Sequence, residues 1–254
     1  RKYAAGFAGI TWPKEWGGQG GTPIQQVIFN QEEAQFRVVP GFFTIGLGLC
    51  VPTIGTWGTP AQRQRFVPAA LKGDEVWCQF FSEPAGGSDL GALRTRAERD
   101  GDDWIINGQK IWTSGAHYSD FGVLVARSDF NVPKHKGLTY FYLSTRTPGV
   151  EIQPIRQMSG SRHFNQVFFK DVRIPDGQRL GPVGDGWKVA ITTLMNERFI
   201  SSDAIGPDVN ELVTLAKSVH TGSGLAIDDP AVQERIAEFY VRTQGLRFAK
   251  FRTM

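Results

Sequence analysis

Cysteine is scarce, apolar runs are short, and neither charge sign collects along the chain. The two cysteines among 254 residues, Cys50 and Cys78, lie in apolar or glycine-rich surroundings without metal or redox spacing, which reads as two reduced, buried thiols. No stretch approaches the roughly twenty uninterrupted apolar residues of a membrane-spanning helix, and the N-terminus lacks a charged-then-apolar signal pattern. The cytosol is therefore the expected compartment, although a chain opening on Arg1 leaves a removed leader or a preceding segment open. Lysine and arginine total 28 against 25 acidic residues, and their even spread offers no basic stripe for nucleic acid. Internal repeats, low-complexity tracts, a nucleophile elbow and His/Cys/carboxylate clusters with metal-ligand spacing are all missing. So is the strand, Gly-x-Gly-x-x-Gly turn and acidic residue expected of a nicotinamide dinucleotide site.

What is present has an α, then β, then α order. Pro23 to Arg37 carries apolar residues at near-helical spacing, and Thr59-Pro60 opens a second helix, capped by Thr59 and closed by Gly73. From Glu75 the period becomes strand-like, in the runs Val76–Phe81, Ala92–Glu98, Trp104–Ile106, Gly122–Arg127, Leu138–Ser144, Val150–Pro154 and Gln166–Phe169. Asp100-Gly101-Asp102, Asn107-Gly108 and Thr147-Pro148-Gly149 are turn signals between them, which predicts an antiparallel sandwich or barrel. Helical spacing returns after Pro182, and Thr221 to Pro230 is the candidate mobile loop between two late helices. The expected fold is α+β and multidomain: residues 1–74 helical, 75–184 a β domain, 185–254 the start of a helical bundle.

Two segments carry chemistry. In CQFFSEPAGGSDL, from Cys78 to Leu90, a short strand meets a glycine turn whose backbone N–H groups are free to face an anion such as phosphate. In KIWTSG, from Lys110 to Gly115, Trp112 stands two residues from Ser114, so on a strand the indole and the hydroxyl share a face and suit a flat ring. Taken singly, each has a plainer reading. A Gly-Gly-Ser turn is most often only a hairpin or loop, and a lone strand tryptophan is usually core.

Together with QMSGSRHFNQVFFKDVRIP, from Gln157 to Pro175, and GWKVAITTLMNER, from Gly186 to Arg198, these segments resemble the successive signatures of the acyl-CoA dehydrogenase family. The resemblance runs from about Gly9 to Met195 and more weakly to the end. It implies a helical N-terminal domain, a β middle domain with a flavin site and a C-terminal helical bundle, with FAD as cofactor. The implied reaction is α,β-dehydrogenation of an acyl-CoA thioester, and a side chain cannot accept the departing hydride, so a cofactor must. By the resemblance Phe81 and Ser82 line the flavin, Gln79 approaches it, Gly87 and Ser88 bind the pyrophosphate, Trp112 packs on the ring and Ser114 bonds near its reactive edge. Ser88 and Arg198 are the implied substrate contacts. An electron-transferring flavoprotein is the implied electron acceptor, and a homotetramer or heteromer the implied assembly.

The proton-abstracting base has two sources by the same resemblance. One is Glu197, before Arg198, where isovaleryl- and long-chain members place it; a Glu near an apolar acyl pocket gains basicity by desolvation. The other is a later glutamate beyond Met254, since the chain reads as lacking part of the C-terminal bundle. The family's Arg-x-x-Phe-Gly segment has no counterpart arginine in Ser218 to Pro230, which puts cross-subunit FAD contacts in doubt. An acyl-CoA oxidase or flavin monooxygenase on the same scaffold, and a non-catalytic subunit or fragment of a dehydrogenase assembly, are the competing readings. His117 reads as a surface or capping histidine, and the Lys134-His135-Lys136 cluster as a solvated loop or a contact for CoA phosphates.

Overall fold

The Thr59 cap folds as its sequence dictates. In the computed structural model, which describes residues 1–33, 35–36, 41–197, 208–222 and 224–252, the Thr59 side chain accepts from the Gln62 backbone N–H at 3.2 Å, and Gln62 Oε1 accepts from the Thr59 N–H at 2.7 Å. This reciprocal box starts α3 (Pro60–Lys72), and Gly73, at φ 81°, ends it in the left-handed region. Before it come α1 (Pro23–Glu33) and α2 (Val51–Trp57), the latter continuing a π-helical turn over Gly46–Cys50. The predicted Pro23–Arg37 helix thus ends at Glu33; Ala34 and Arg37 lie outside the described residues.

The chain forms two compact units, residues 1–29 with 37–201, and residues 30–36 with 202–254. In the first, eight strands form one sheet: β1 (Trp77–Phe80), β2 (Arg96–Asp100), β3 (Asp103–Ser114), β4 (Phe121–Arg127), β5 (Leu138–Ser144), β6 (Val150–Pro154), β7 (Phe164–Pro175) and β8 (Arg179–Leu180). Its order is β6-β7-β3-β2-β4-β5-β8, with β1 also beside β4. Pairing is antiparallel except at β1/β4 and at the single pair Arg96↔Arg127 between β2 and β4. The sheet is therefore mixed rather than wholly antiparallel, because the chain leaves β1 by a long excursion and returns to its flank in the same direction.

Strand alternation sorts the core into two layers. Trp77, Phe81, Val123, Val125, Tyr140 and Tyr142 point to one side, where they meet Ile54, Phe66 and Val67 of the helices and Val189 of α4 (Gly186–Glu197). Cys78, Phe80, Leu124, Ala126, Phe141 and Leu143 point to the other, against Trp104, Ile106, Val167, Phe169, Val172 and Ile174 of β3 and β7. Strands β1, β4 and β5 are thus covered on both faces, which explains their nearly continuous apolar runs. Both cysteines are buried and free.

Two turn signals fare differently. Asp100-Gly101-Asp102 joins β2 to β3, with Gly101 at φ 61°, but Asn107-Gly108 makes no hairpin. It is a bulge inside the twelve-residue β3, where the register on β7 shifts between Ile106 and Gly108. The Asn107 amide donates to Asp171 Oδ1 at 2.9 Å and accepts the Asp171 backbone N–H at 2.9 Å, while a Cβ on Gly108 would fall 2.7 Å from the Thr95 Cα. A side chain across the ladder and a close neighbouring strand thus replace the turn. The expected strand from Ala92 begins only at Arg96, after a 3-10 turn over Leu90–Ala92.

In the second unit α5 (Val209–Ser218), N-capped by Asp208, packs on α6 (Pro230–Arg252) and on the 3-10 turn Ala226–Asp228. The segment expected as a loop carries a small ribbon, β9 (His220–Thr221) against β10 (Gly224–Leu225). No described helix is long and apolar enough to cross a membrane.

Candidate functional site

The two chemistry-bearing segments meet directly after β1. The Ile111 N–H donates to the Ser82 carbonyl at 2.9 Å, and β3 shifts register again between Lys110 and Thr113. Trp112 sits at this irregularity with φ 59°, a conformation that bulky residues rarely adopt. Its indole is 55 % exposed and edge-on to Phe164 at 5.9 Å. Thr113 is buried between it and the half-buried Ser114, so Trp112 and Ser114 flank an inward residue. The buried Thr113 Oγ1 has no hydrogen-bond partner. Its backbone carbonyl accepts from the buried Asn165 amide at 2.8 Å, and Asn165 Oδ1 lies 3.1 Å from His117 Nδ1. The exposed His117 thus caps a largely buried network that braces this strand end.

On the other segment, Glu83 and Gly86 exchange both backbone hydrogen bonds across Pro84 and Ala85, at 3.2 and 3.0 Å, closing a tight turn. Gly86, Gly87 and Ser88 are exposed. A Cβ on Gly86 would meet nothing, whereas one on Gly87 would lie 3.3 Å from Ser82 Oγ. Ser82 and Gly87 are therefore neighbours, and the glycines leave backbone accessible in the segment that Ile111 joins to the strand of Trp112. This is a cradle of the right chemistry for a flat ring carrying a phosphate. Phe81 is placed otherwise: its ring is buried and edge-on to Tyr140 at 5.9 Å. Gln79 is half-buried on the same strand face as Trp77 and Phe81.

Two buried charges escaped the reading of the sequence. Lys110, fully buried, donates from Nζ to Glu83 Oε1 at 2.8 Å and to the Phe81 carbonyl at 3.0 Å. Glu83 also accepts the backbone N–H groups of Arg94, at 2.6 Å, and Thr95, at 2.9 Å. Burial opposes the Lys110 charge more than Glu83 supports it, bringing its pKa down to about 8. Burial likewise works against the Glu83 carboxylate, but the Lys110 ammonium and the N–H donors outweigh it, and its pKa lies below the usual value. A third buried charge, Arg127, donates to the carbonyls of Gly91 at 2.6 Å, Leu93 at 3.0 Å and Lys134 at 3.1 Å. The sequence held one signal: Lys110 has the inward parity of Trp104 and Ile106 on β3.

Glu197 is exposed and is the last residue of α4. Arg198 lies outside the described residues. A separate cleft of about 390 Å³ is lined by His135, Lys136, Asp185, Trp187 and Lys188, with the His135 ring 4.4 Å from that of Trp187. Lys134 pairs instead with Asp89 at 2.8 Å.

An exposed glycine turn and an exposed indole, joined through a backbone hydrogen bond and backed by helices, make a surface suited to a flat, anionic ligand. Models of the acyl-CoA dehydrogenase N-terminal, middle and C-terminal domains match residues 2–74, 78–172 and 184–254. The chain belongs to the acyl-CoA dehydrogenase family, whose members are in general FAD-dependent. The acyl-CoA dehydrogenase IpdE1 of Mycobacterium tuberculosis is 39% identical over 258 residues, covering 100% of this chain and 66% of the relative. Among solved structures, the Tcur3481-Tcur3483 steroid ACAD G363A variant superposes with a TM-score of 0.87 at 32% identity, covering 99% of this chain and 65% of that one. The ChsE4-ChsE5 complex from Mycobacterium tuberculosis gives 0.83 at 31%, covering 98% and 65%. The chain therefore spans just under two thirds of the length of these relatives.

Proposed function

We propose that this chain carries the flavin half of an FAD-dependent acyl-CoA dehydrogenase. The observation that supports the reading most is the Ser82–Ile111 backbone bond, which joins the segment of the exposed Gly86-Gly87-Ser88 turn to the strand of Trp112 and Ser114. Bound there, FAD would supply the hydride acceptor that no side chain can be. The backbone of Gly87 and Ser88 holds the pyrophosphate, Trp112 packs on the ring, and the Ser82 and Ser114 hydroxyls bond its polar edge. Gln79 orients one side, and Phe81 contributes through its backbone because the core holds its ring.

Ser88 and Arg198 are assigned to the acyl-CoA thioester. Glu197 is assigned to the α-proton, the competing source being a glutamate on the later helices of the family's bundle. The acceptor is an electron-transferring flavoprotein and the assembly a homotetramer or a heteromer; one similar structure is named as a complex of two proteins. Another is named a steroid enzyme, so a CoA thioester with a steroid-borne acyl group is the first substrate to offer. The cytosol is the assigned compartment.

The test is optical. Purified protein supplied with FAD is expected to retain a flavin absorbance band through gel filtration, and anaerobic acyl-CoA to bleach it. Absence of bound flavin would refute the reading, and fast reoxidation by air would turn it into an oxidase. Flavin bleaching at the unaltered rate in Glu197→Gln would remove Glu197 from proton abstraction.

A further inference from the structure

Lys110, Glu83 and Arg127 have no task in the reaction as assigned, and stability alone does not explain them. A buried ion pair is often matched or bettered by apolar residues of the same volume. What apolar side chains cannot do is grip backbone polar groups, and these three charges grip a single segment at its start, middle and end. Lys110 Nζ takes the Phe81 carbonyl, just before the glycine turn. Glu83 takes the N–H groups of Arg94 and Thr95, at the far end of the segment. Arg127 takes the Gly91 and Leu93 carbonyls between them. Residues 81–95 are thus tied at both ends, leaving the tip from Pro84 to Ser88 exposed. Lys110 is also two residues from Trp112, in the strand whose Ile111 meets Ser82.

We propose that Lys110 and Glu83 are positioning residues, which fix the Ser82–Ser88 turn against the Trp112–Ser114 segment and hold both halves of the flavin cradle at one spacing before the cofactor arrives. The proposal rests on the flavin reading above for its ligand, but not for the geometry it describes. Charge-assisted bonds to backbone are the stronger kind, and ordering a loop in advance removes a cost that binding would otherwise carry.

The test uses Lys110→Met in the full chain, with Ile174→Ala as a control that weakens the other core layer, where Ile174 is buried. In cofactor-free protein, amide exchange across residues 81–95 is expected to quicken at least tenfold more in Lys110→Met than in the control. With FAD, Lys110→Met is expected to raise the dissociation constant at least tenfold and to change the visible circular dichroism of the flavin, while the control stays within twofold. Should Lys110→Met fail to fold, Glu83→Gln, which keeps the shape and removes the charge, is read in the same way. Exchange and affinity no more altered than in the control would overturn the proposal. A wild-type chain that binds no FAD would refute the flavin reading instead, and the exchange measurement would still decide whether the pair orders the segment.

Discussion

The two ends of β3 each carry a cluster of charges, and water separates their roles. At the first end Asp176 accepts from Trp104 Nε1 and Arg99, both at 2.7 Å, and from Arg179 at 2.9 Å. The Asp176 side chain keeps 28% of its surface exposed, so the cluster clips β2, β3 and β8 together under solvent screening. At the other end Lys110 is wholly shut away and Glu83 nearly so, and their bonds run to the backbone of a turn rather than to other side chains. One cluster fastens strands; the other shapes a surface. The same chemistry serves the fold or the site according to what its hydrogen bonds reach.

Removing charges one at a time sharpens the contrast. Lys110→Met strands a buried carboxylate and is expected to cost about 3 to 5 kcal/mol, read by denaturant unfolding. Arg127→Met leaves three carbonyls without their donor and is expected to cost about 2 kcal/mol by the same measurement. Asp176→Asn is expected to cost about 1 kcal/mol, fading as salt is added; a cost equal to that of Lys110→Met would erase the distinction between the two ends. Glu151→Gln, in the exposed pair with Lys170, is expected to leave the melting temperature unchanged.

The pH dependence has the same sign at both partners of the buried pair, because both titrate lower in the folded state than in the unfolded one, but it falls in two separate pH windows. Glu83 titrates below its ordinary value, so its stabilisation is complete above about pH 4.5 and is lost as pH falls through the folded pKa. Lys110 titrates at about 8 when folded and near its ordinary 10.5 when unfolded, so the native state releases its proton first. Unfolding free energy should therefore gain an upward component between about pH 8 and 10.5 that Lys110→Met lacks. Equal slopes in wild type and variant over that range would contradict the Lys110 assignment.

Local signals in the sequence were legible where local chemistry decides. Thr59 and Gln62 cap α3 by contacts three residues apart, and Leu138–Ser144 and Val150–Pro154 keep their predicted bounds as β5 and β6. Asn107-Gly108 misled because the partner of Asn107 is Asp171, 64 residues away. The same distance effect hid the buried pair. Lysine is almost never fully buried, and nothing near Lys110 in sequence announces Glu83, although both lie in the segments that carried the family resemblance. Of the residues the motifs singled out, Trp112 is exposed and Ser82 lies beside Gly87, whereas the buried ring of Phe81 belongs to the core.

Trp112 has one more consequence, an optical one. Of the seven tryptophans it alone is exposed, the others being buried or half-buried. A water-soluble quencher such as iodide should therefore extinguish mainly its red-shifted share of the emission, and any molecule settling on the cradle should shield that share. On the proposed flavin reading, the protein would carry its own fluorescent gauge of cofactor occupancy, needing neither a label nor turnover.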